Sequence, residues 1–206
     1  MKLSLLERLY VNSPVRNRLQ RPLEFHLFQR LASLPPQADV LEIGCGNGGG
    51  LAWLARHAQP ASLTGLDLDP RQIAAAEHTL AHLTPPARLL VGSAESIPLP
   101  ANSFHLALSA GCLHHVPKWR TAVTEIHRLL RPGGLFYALE FYAPLLNLPG
   151  IRQWLPHPPG RFTESELLAE LTRQGFHIVG TWPGHATRLG RFVSRYASLM
   201  VAIRKA

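Results

Sequence analysis

The chain has 206 residues, 46% of them hydrophobic, which is enough for one domain with a substantial core. Basic residues outnumber acidic ones 21 to 13, for a net charge of +8; the lysines are Lys2, Lys118 and Lys205, so 21 − 3 leaves 18 arginines. No apolar run approaches the ~18 residues needed to cross a bilayer, and charge interrupts Met1–Arg8 too early for a secretory leader, so a cytoplasmic protein is expected. Positive charge draws anionic partners, whether acidic metabolites, lipid headgroups or nucleic acid, without choosing among them.

Residues 1–35 read as an N-terminal helical segment in which Leu3–Tyr10 and then Arg16, Arg18 and Arg21 mix apolar and basic character. Beyond it, apolar runs alternate with helical periods, the pattern of a parallel α/β sheet. Strands are expected near Asp39–Ile43, Ser62–Asp67, Ala87–Val91, Phe104–Ser109 and Leu135–Phe141, with helices near Gly49–His57, Pro70–Leu83 and Thr121–Leu130. Asp69-Pro70 is an N-cap followed by proline at the first helical position. Pro132-Gly133-Gly134 reads as a helix stop. Five prolines between 143 and 160 argue against a regular element there. Thr163-Glu164-Ser165-Glu166 reads as a capping box opening a helix to about Gln174, and strand-like runs follow at Phe176–Trp182 and Ser198–Arg204. The whole chain, 1–206, is read as one domain.

The first strand runs into Gly44-Cys45-Gly46-Asn47-Gly48-Gly49-Gly50, with Glu42 two residues before the first glycine. Such a turn lets a ligand lie against bare backbone, and a helix starting near Gly49 would aim its free N–H groups at that ligand. Gly44, Gly46 and Gly49 also satisfy the dinucleotide pattern G-x-G-x-x-G, which alone is weak. Asp67, at the end of the second strand, suits ribose hydroxyls in either kind of site.

Glu42–Gly48 fits the acid-x-G-x-G-x-G motif of class I S-adenosylmethionine-dependent methyltransferases, which this chain resembles over roughly residues 38–140. Gly65–Pro70, Ser93–Pro98 and Leu129–Gly134 fit the later motifs in order. The resemblance, to the branch that includes small-molecule, quinone and phospholipid methyltransferases, implies a Rossmann-like seven-stranded sheet. Its strand order would be 3-2-1-4-5-7-6, with strand 7 antiparallel and helices on both faces. It implies S-adenosyl-L-methionine as cofactor. The backbone of Gly44, Cys45, Gly46 and Gly48 would face the methionine part, and Glu42 would reach its ammonium or cap nearby loop N–H groups. Asp67 would take the ribose hydroxyls, and Leu68 would pack on adenine. Ser93, Ala94 and Glu95 would bind the adenine end of the cofactor: Ser93 stands where the family commonly has an aspartate that accepts from the adenine amine, and the Ala94 N–H would serve the ring. His105 likewise stands where an acid is more usual. Ser109 and Ala110 would border the methionine.

His114 and His115 are the candidates for a general base, because imidazole accepts a proton near neutral pH. Tyr142 and Trp154 are candidates for the acceptor pocket wall, and residues 143–162 form a lid-like insertion or a loop covering the sheet edge. Cys45 and Cys112 read as small residues filling tight space or as a reactive pair, and no histidine set has metal spacing. On Thr187–Tyr196, Arg188, Arg191 and Arg195 share one helical face, which suits an anionic membrane surface or a docked helix with solvated arginines. The expected function is methyl transfer to a small-molecule or lipid-like acceptor, with peripheral contact to an anionic membrane. A nucleic-acid methyltransferase and a nicotinamide-dependent oxidoreductase or nucleotide binder are the alternatives.

Overall fold

A computed structural model describes Ser13 and residues 20–154 and 162–204. Its helices are α1 (Arg21–Leu31), α2 (Gly49–His57), α3 (Pro70–Leu80), α4 (Trp119–Leu129), α5 (Ala143–Leu146), α6 (Pro149–Trp154), α7 (Glu164–Arg173) and α8 (Arg188–Ser194). The strands are β1 (Asp39–Ile43), β2 (Ser62–Asp67), β3 (Ala87–Val91), β4 (Phe104–Ala110), β5 (Leu130–Phe141), β6 (Phe176–Trp182) and β7 (Ala197–Arg204). They form one sheet in the order β3-β2-β1-β4-β5-β7-β6, with β7 antiparallel to both neighbours, as expected from the sequence.

Side-chain alternation along the strands splits the core into two layers. Leu106 and Leu108 of β4 join Phe25 and Phe28 of α1, Leu51 and Leu54 of α2, and Ile73 and Ala76 of α3 on one face. Ala107, between those two leucines, faces Trp119 and Ile126 of α4 and Leu167 and Leu171 of α7 on the other. Asp69 caps α3 by accepting the Arg71 N–H, and Thr163 and Glu166 close the capping box of α7. His105, in the place of the family's usual acid, sits 3.3 Å from Asp39, and Arg131 donates to both Asp39 (3.0 Å) and the His105 ring (2.9 Å) at the amino edge of the sheet.

Several elements differ from expectation, among them α3, which stops at Leu80, three residues short of Leu83. β5 begins at Leu130, so Pro132-Gly133-Gly134 lies inside an extended segment. Leu130 pairs with Phe104, and a register shift then absorbs the proline and glycines. α4 begins at Trp119, two residues early. The proline-rich stretch also carries two short helices, because Pro144 and Pro149 fall in first turns, where a missing N–H costs nothing. Residues 155–161 of the lid-like insertion and most residues before 20 lie outside the described part.

Candidate active site

Gly44, Gly46 and Gly48 all have positive φ (+69°, +55° and +79°), and Gly48 is the N-cap of α2. The turn is pinned to β2 by the Gly44 and Cys45 N–H groups, which donate to the Leu66 carbonyl at 2.8 and 3.0 Å. A Cβ on Gly44 would lie 2.6 Å from Cys112 Sγ, and one on Gly48 would lie 2.9 Å from Leu80. Bare backbone is therefore obligatory at both positions. Asp67 ends β2 beside this turn. Its Oδ2 accepts the Gly46 N–H and its Oδ1 the Asp69 N–H, both at 2.9 Å.

Burial holds the Asp67 carboxyl above its ordinary range, and those backbone N–H groups partly offset the rise. Each oxygen has one backbone donor at 2.9 Å and lone-pair capacity beyond it, so the carboxylate can also accept hydroxyls. Next to it Leu68 is 46% exposed, and Val91, paired with Asp67 in the sheet, is 56% exposed. A flat apolar group could lie there. The glycine turn, the carboxylate and the apolar flank fit S-adenosylmethionine.

Glu42 is fully buried, with its carboxylate against Gly50 so closely that Gly50 has no room for a Cβ. Arg21 of α1 approaches Glu42 at 3.5 Å and Glu24 at 3.5 Å, and all three side chains are buried. A buried charge needs such a partner. Nothing in the sequence next to Glu42 announces a partner from the N-terminal segment. The signal for Arg21 was present as an Arg-x-x-Glu pair at one-turn spacing.

Ser93 Oγ accepts the Glu95 N–H (3.1 Å), and Ala94 is buried. Glu95 reaches away to accept the Lys118 N–H at 3.0 Å, so it staples this loop to the start of α4. Arg128 and Glu125, which the sequence reading did not single out, hold the same loop. Arg128 donates to the Ile97 and Leu99 carbonyls (2.9 and 2.8 Å), and Glu125 accepts the Ile97 N–H (2.9 Å).

At the end of β4 the organising group is Glu140, also missed in the sequence. It is fully buried in β5 and accepts from Ser109 Oγ (2.9 Å), from the N–H groups of Cys112 (3.4 Å), Leu113 (3.1 Å) and His114 (3.3 Å), and from His114 Nδ1 (2.7 Å). Ser109 is thus bound to Glu140 through its hydroxyl, and Ala110 is buried beside it. A carboxylate takes a donor, so Nδ1 of His114 carries a proton, and in the neutral ring Nε2 is then the acceptor nitrogen. The His114 ring packs on His115 (4.4 Å between centroids) and meets the Phe141 edge at 5.6 Å.

Tyr142 falls in the core instead of on a pocket wall. It is fully buried, and its hydroxyl bonds Ser198 Oγ at 2.7 Å under Phe162. Trp154 ends α6, and its side chain lies outside the described part. Cys45 and Cys112 are free thiols, the first buried and the second half-buried, and desolvation pushes the pKa of both up, which disfavours the thiolate that a reactive pair would need. Among the described residues no three His, Cys, Asp or Glu side chains cluster as metal ligands.

The sheet order, its antiparallel last strand, and a glycine turn set against an aspartate on the neighbouring strand define the Rossmann-like class I methyltransferase fold. Residues 41–138 match the methyltransferase domain family. It is 40% identical over 111 residues to a fatty-acid O-methyltransferase of Mycolicibacterium smegmatis, covering 50% of this chain and 39% of that one. It is 36% identical over 134 residues to a probable phthiotriol/phenolphthiotriol dimycocerosates methyltransferase of Mycobacterium ulcerans, covering 63% of this chain and 48% of that one. The chain therefore spans less than half the length of either relative. An S-adenosylmethionine-dependent methyltransferase from Mesorhizobium loti superposes with a TM-score of 0.72 at 21% identity, over 88% of this chain and 97% of that one, which bears on the fold. Among the described residues no helix is long and apolar enough to cross a membrane.

Proposed function

We propose that this chain binds S-adenosylmethionine at the carboxyl edge of β1, β2 and β4 and methylates an oxygen of a lipid-like acceptor. The observation that carries the reading is the convergence of the glycine turn, Asp67 and the Glu140-held His114 on one edge of the sheet. In this reading Gly44–Gly48 presents backbone to the methionine part, Asp67 takes the ribose hydroxyls, and Leu68 and Val91 flank the adenine. The cofactor supplies an electrophilic methyl group on its sulfonium.

The chain's own part is to place the acceptor and manage its proton. Orientation alone can supply roughly 7–11 kcal/mol of the barrier. For a hydroxyl acceptor, Nε2 of His114 would take the hydroxyl proton that methyl transfer from the sulfonium releases, the thioether being the leaving group. The Glu140 carboxylate, already accepting from Nδ1, stabilises the imidazolium. A carboxylate acceptor arrives without a proton and needs no base. The lipid-like acceptor is supported by the two relatives, whose names specify a fatty acid and a dimycocerosate lipid.

Labelled methyl transfer to extracted lipids, read by partition into organic solvent, tests the reading. Label in the organic phase is expected, and label confined to nuclease-sensitive or water-soluble products would exclude it. His114→Ala should slow transfer to a hydroxyl acceptor by roughly 10²-fold or more and leave transfer to a carboxylate acceptor nearly unchanged.

A further inference from the structure

Helix α8 is inverted relative to an ordinary surface helix. Its small residues Gly190 and Ser194 are buried, whereas Leu189 (71%), Phe192 (54%) and Val193 are exposed. The orientation is fixed. A Cβ on Gly190 would collide with the Gly184 carbonyl, Thr187 Oγ1 accepts the Gly190 N–H at 2.9 Å, and Arg191 donates to the His185 carbonyl at 2.7 Å. Trp182, where β6 enters this connection, is 51% exposed. Arg188, Arg191 and Arg195 are exposed on the same helix and its cap. From Leu171 to Ala206 the sequence has no aspartate or glutamate. Glu164, which reaches the connection through His185 Nε2 (2.9 Å), is buried.

Single exposed apolar residues are common on soluble proteins. Four on one connection, interspersed with arginines and with no exposed acid on that connection, form the composition of an interfacial helix. Leucine and phenylalanine enter the acyl boundary, tryptophan prefers the headgroup level, and arginine stems lie along apolar surface with their heads on phosphates. Pairing this face with a second copy about a two-fold axis would oppose arginines to arginines, whereas an anionic lipid surface complements them. The face also borders the candidate site. Tyr142 N–H donates to the Tyr196 carbonyl at 2.8 Å, and Phe141, whose edge meets His114, pairs with Ala197 in the sheet.

We propose that α8 and Trp182 dock this protein on an anionic phospholipid surface. The inference stands apart from the acceptor assigned above, because binding to vesicles can be read without cofactor or turnover. Co-sedimentation with vesicles of phosphatidylcholine containing about one third phosphatidylglycerol is compared with pure phosphatidylcholine. Binding to the mixed vesicles is expected to be at least tenfold tighter at low salt, roughly the effect of one to two surface arginines. Leu189→Ser/Phe192→Ser should weaken binding at least tenfold with an unchanged melting temperature, and Arg188→Gln/Arg195→Gln should erase the preference for anionic vesicles. Equal binding by all three proteins, or none by the parent, overturns the proposal. So does a large loss of melting temperature in Leu189→Ser/Phe192→Ser, which would mean that the face packs on its own chain. A concentration-dependent dimer abolished by that variant would assign the face to a second copy.

Discussion

At the scale of single residues two carboxylates carry the candidate site, and they differ in how they could be read. Asp67 was legible because its neighbours in sequence form a motif and its place at the end of β2 follows from strand counting. Glu140 was not legible. It stands alone in Leu139-Glu140-Phe141, and its partners lie 26 to 31 residues earlier, so only the β4–β5 pairing brings them together. Asp67→Ala should weaken S-adenosylhomocysteine binding about tenfold or more by calorimetry, since hydrogen bonds to a charged group contribute roughly 1.5–3 kcal/mol each. The raised Asp67 pKa adds a pH signature. Its carboxylate takes a proton at higher pH than an exposed aspartate does, so the parent's affinity should decline as pH falls, and that decline should be absent in Asp67→Ala. Glu140→Ala removes the acceptor of three backbone N–H groups and two side chains. Leaving them buried costs about 3 kcal/mol, or about 6–12 °C of melting temperature for a chain of this size. His114→Ala loses the Nδ1 bond to Glu140 and the ring's packing on His115 and Phe141 but leaves Glu140's other donors in place, so it should melt above Glu140→Ala. Equal losses in the two variants, read by scanning calorimetry, would remove Glu140 from its place as the loop's anchor.

The elements were legible where period and punctuation agree. Asp69-Pro70 and the Thr163–Glu166 box mark helix starts by chemistry that needs no tertiary contact, and both form as read. The sequence misled where one residue type has two uses. Proline ends a helix, yet it also suits a first turn, which is how Pro144 and Pro149 come to sit in α5 and α6. Pro132 reads as a stop, yet an extended strand tolerates it where the register shifts. Glycine shows the same ambiguity and yields a contrast between elements. Gly44→Ala meets both a positive φ and Cys112, and should destabilise the fold by about 2 kcal/mol or more. Gly150 in α6 has nothing within 4 Å of a new Cβ, and alanine there should be neutral or stabilising by up to about 1 kcal/mol. Urea unfolding of the two variants measures the difference. Similar midpoints would show that the β1–α2 turn is not held against Cys112.

Across the whole molecule, the candidate site lies at the carboxyl edge of the sheet, while the Asp39–His105–Arg131 cluster ties the opposite edge. A probe of global stability is therefore best placed away from the candidate site, and His127 offers one. It lies at the end of α4 with its ring against the edge of Phe176 at 5.2 Å, joining α4 to β6. Burial first, and the Arg204 charge second, hold its pKa below the ordinary histidine value. The fold thus favours the neutral ring, and the unfolded chain binds the proton more readily. Stability from this group is complete above the unfolded value of about 6.5 and is lost as pH falls from there toward the lowered folded value. Asp67 acts in the opposite sense, because its raised pKa favours the folded state as acid is added. The parent's pH dependence is a sum of both. Comparing it with His127→Gln isolates the histidine: the variant's melting temperature should fall less between neutral and mildly acidic pH. Parallel curves would mean that the ring titrates alike in both states, and the α4–β6 contact would then be too open to exclude its charged form.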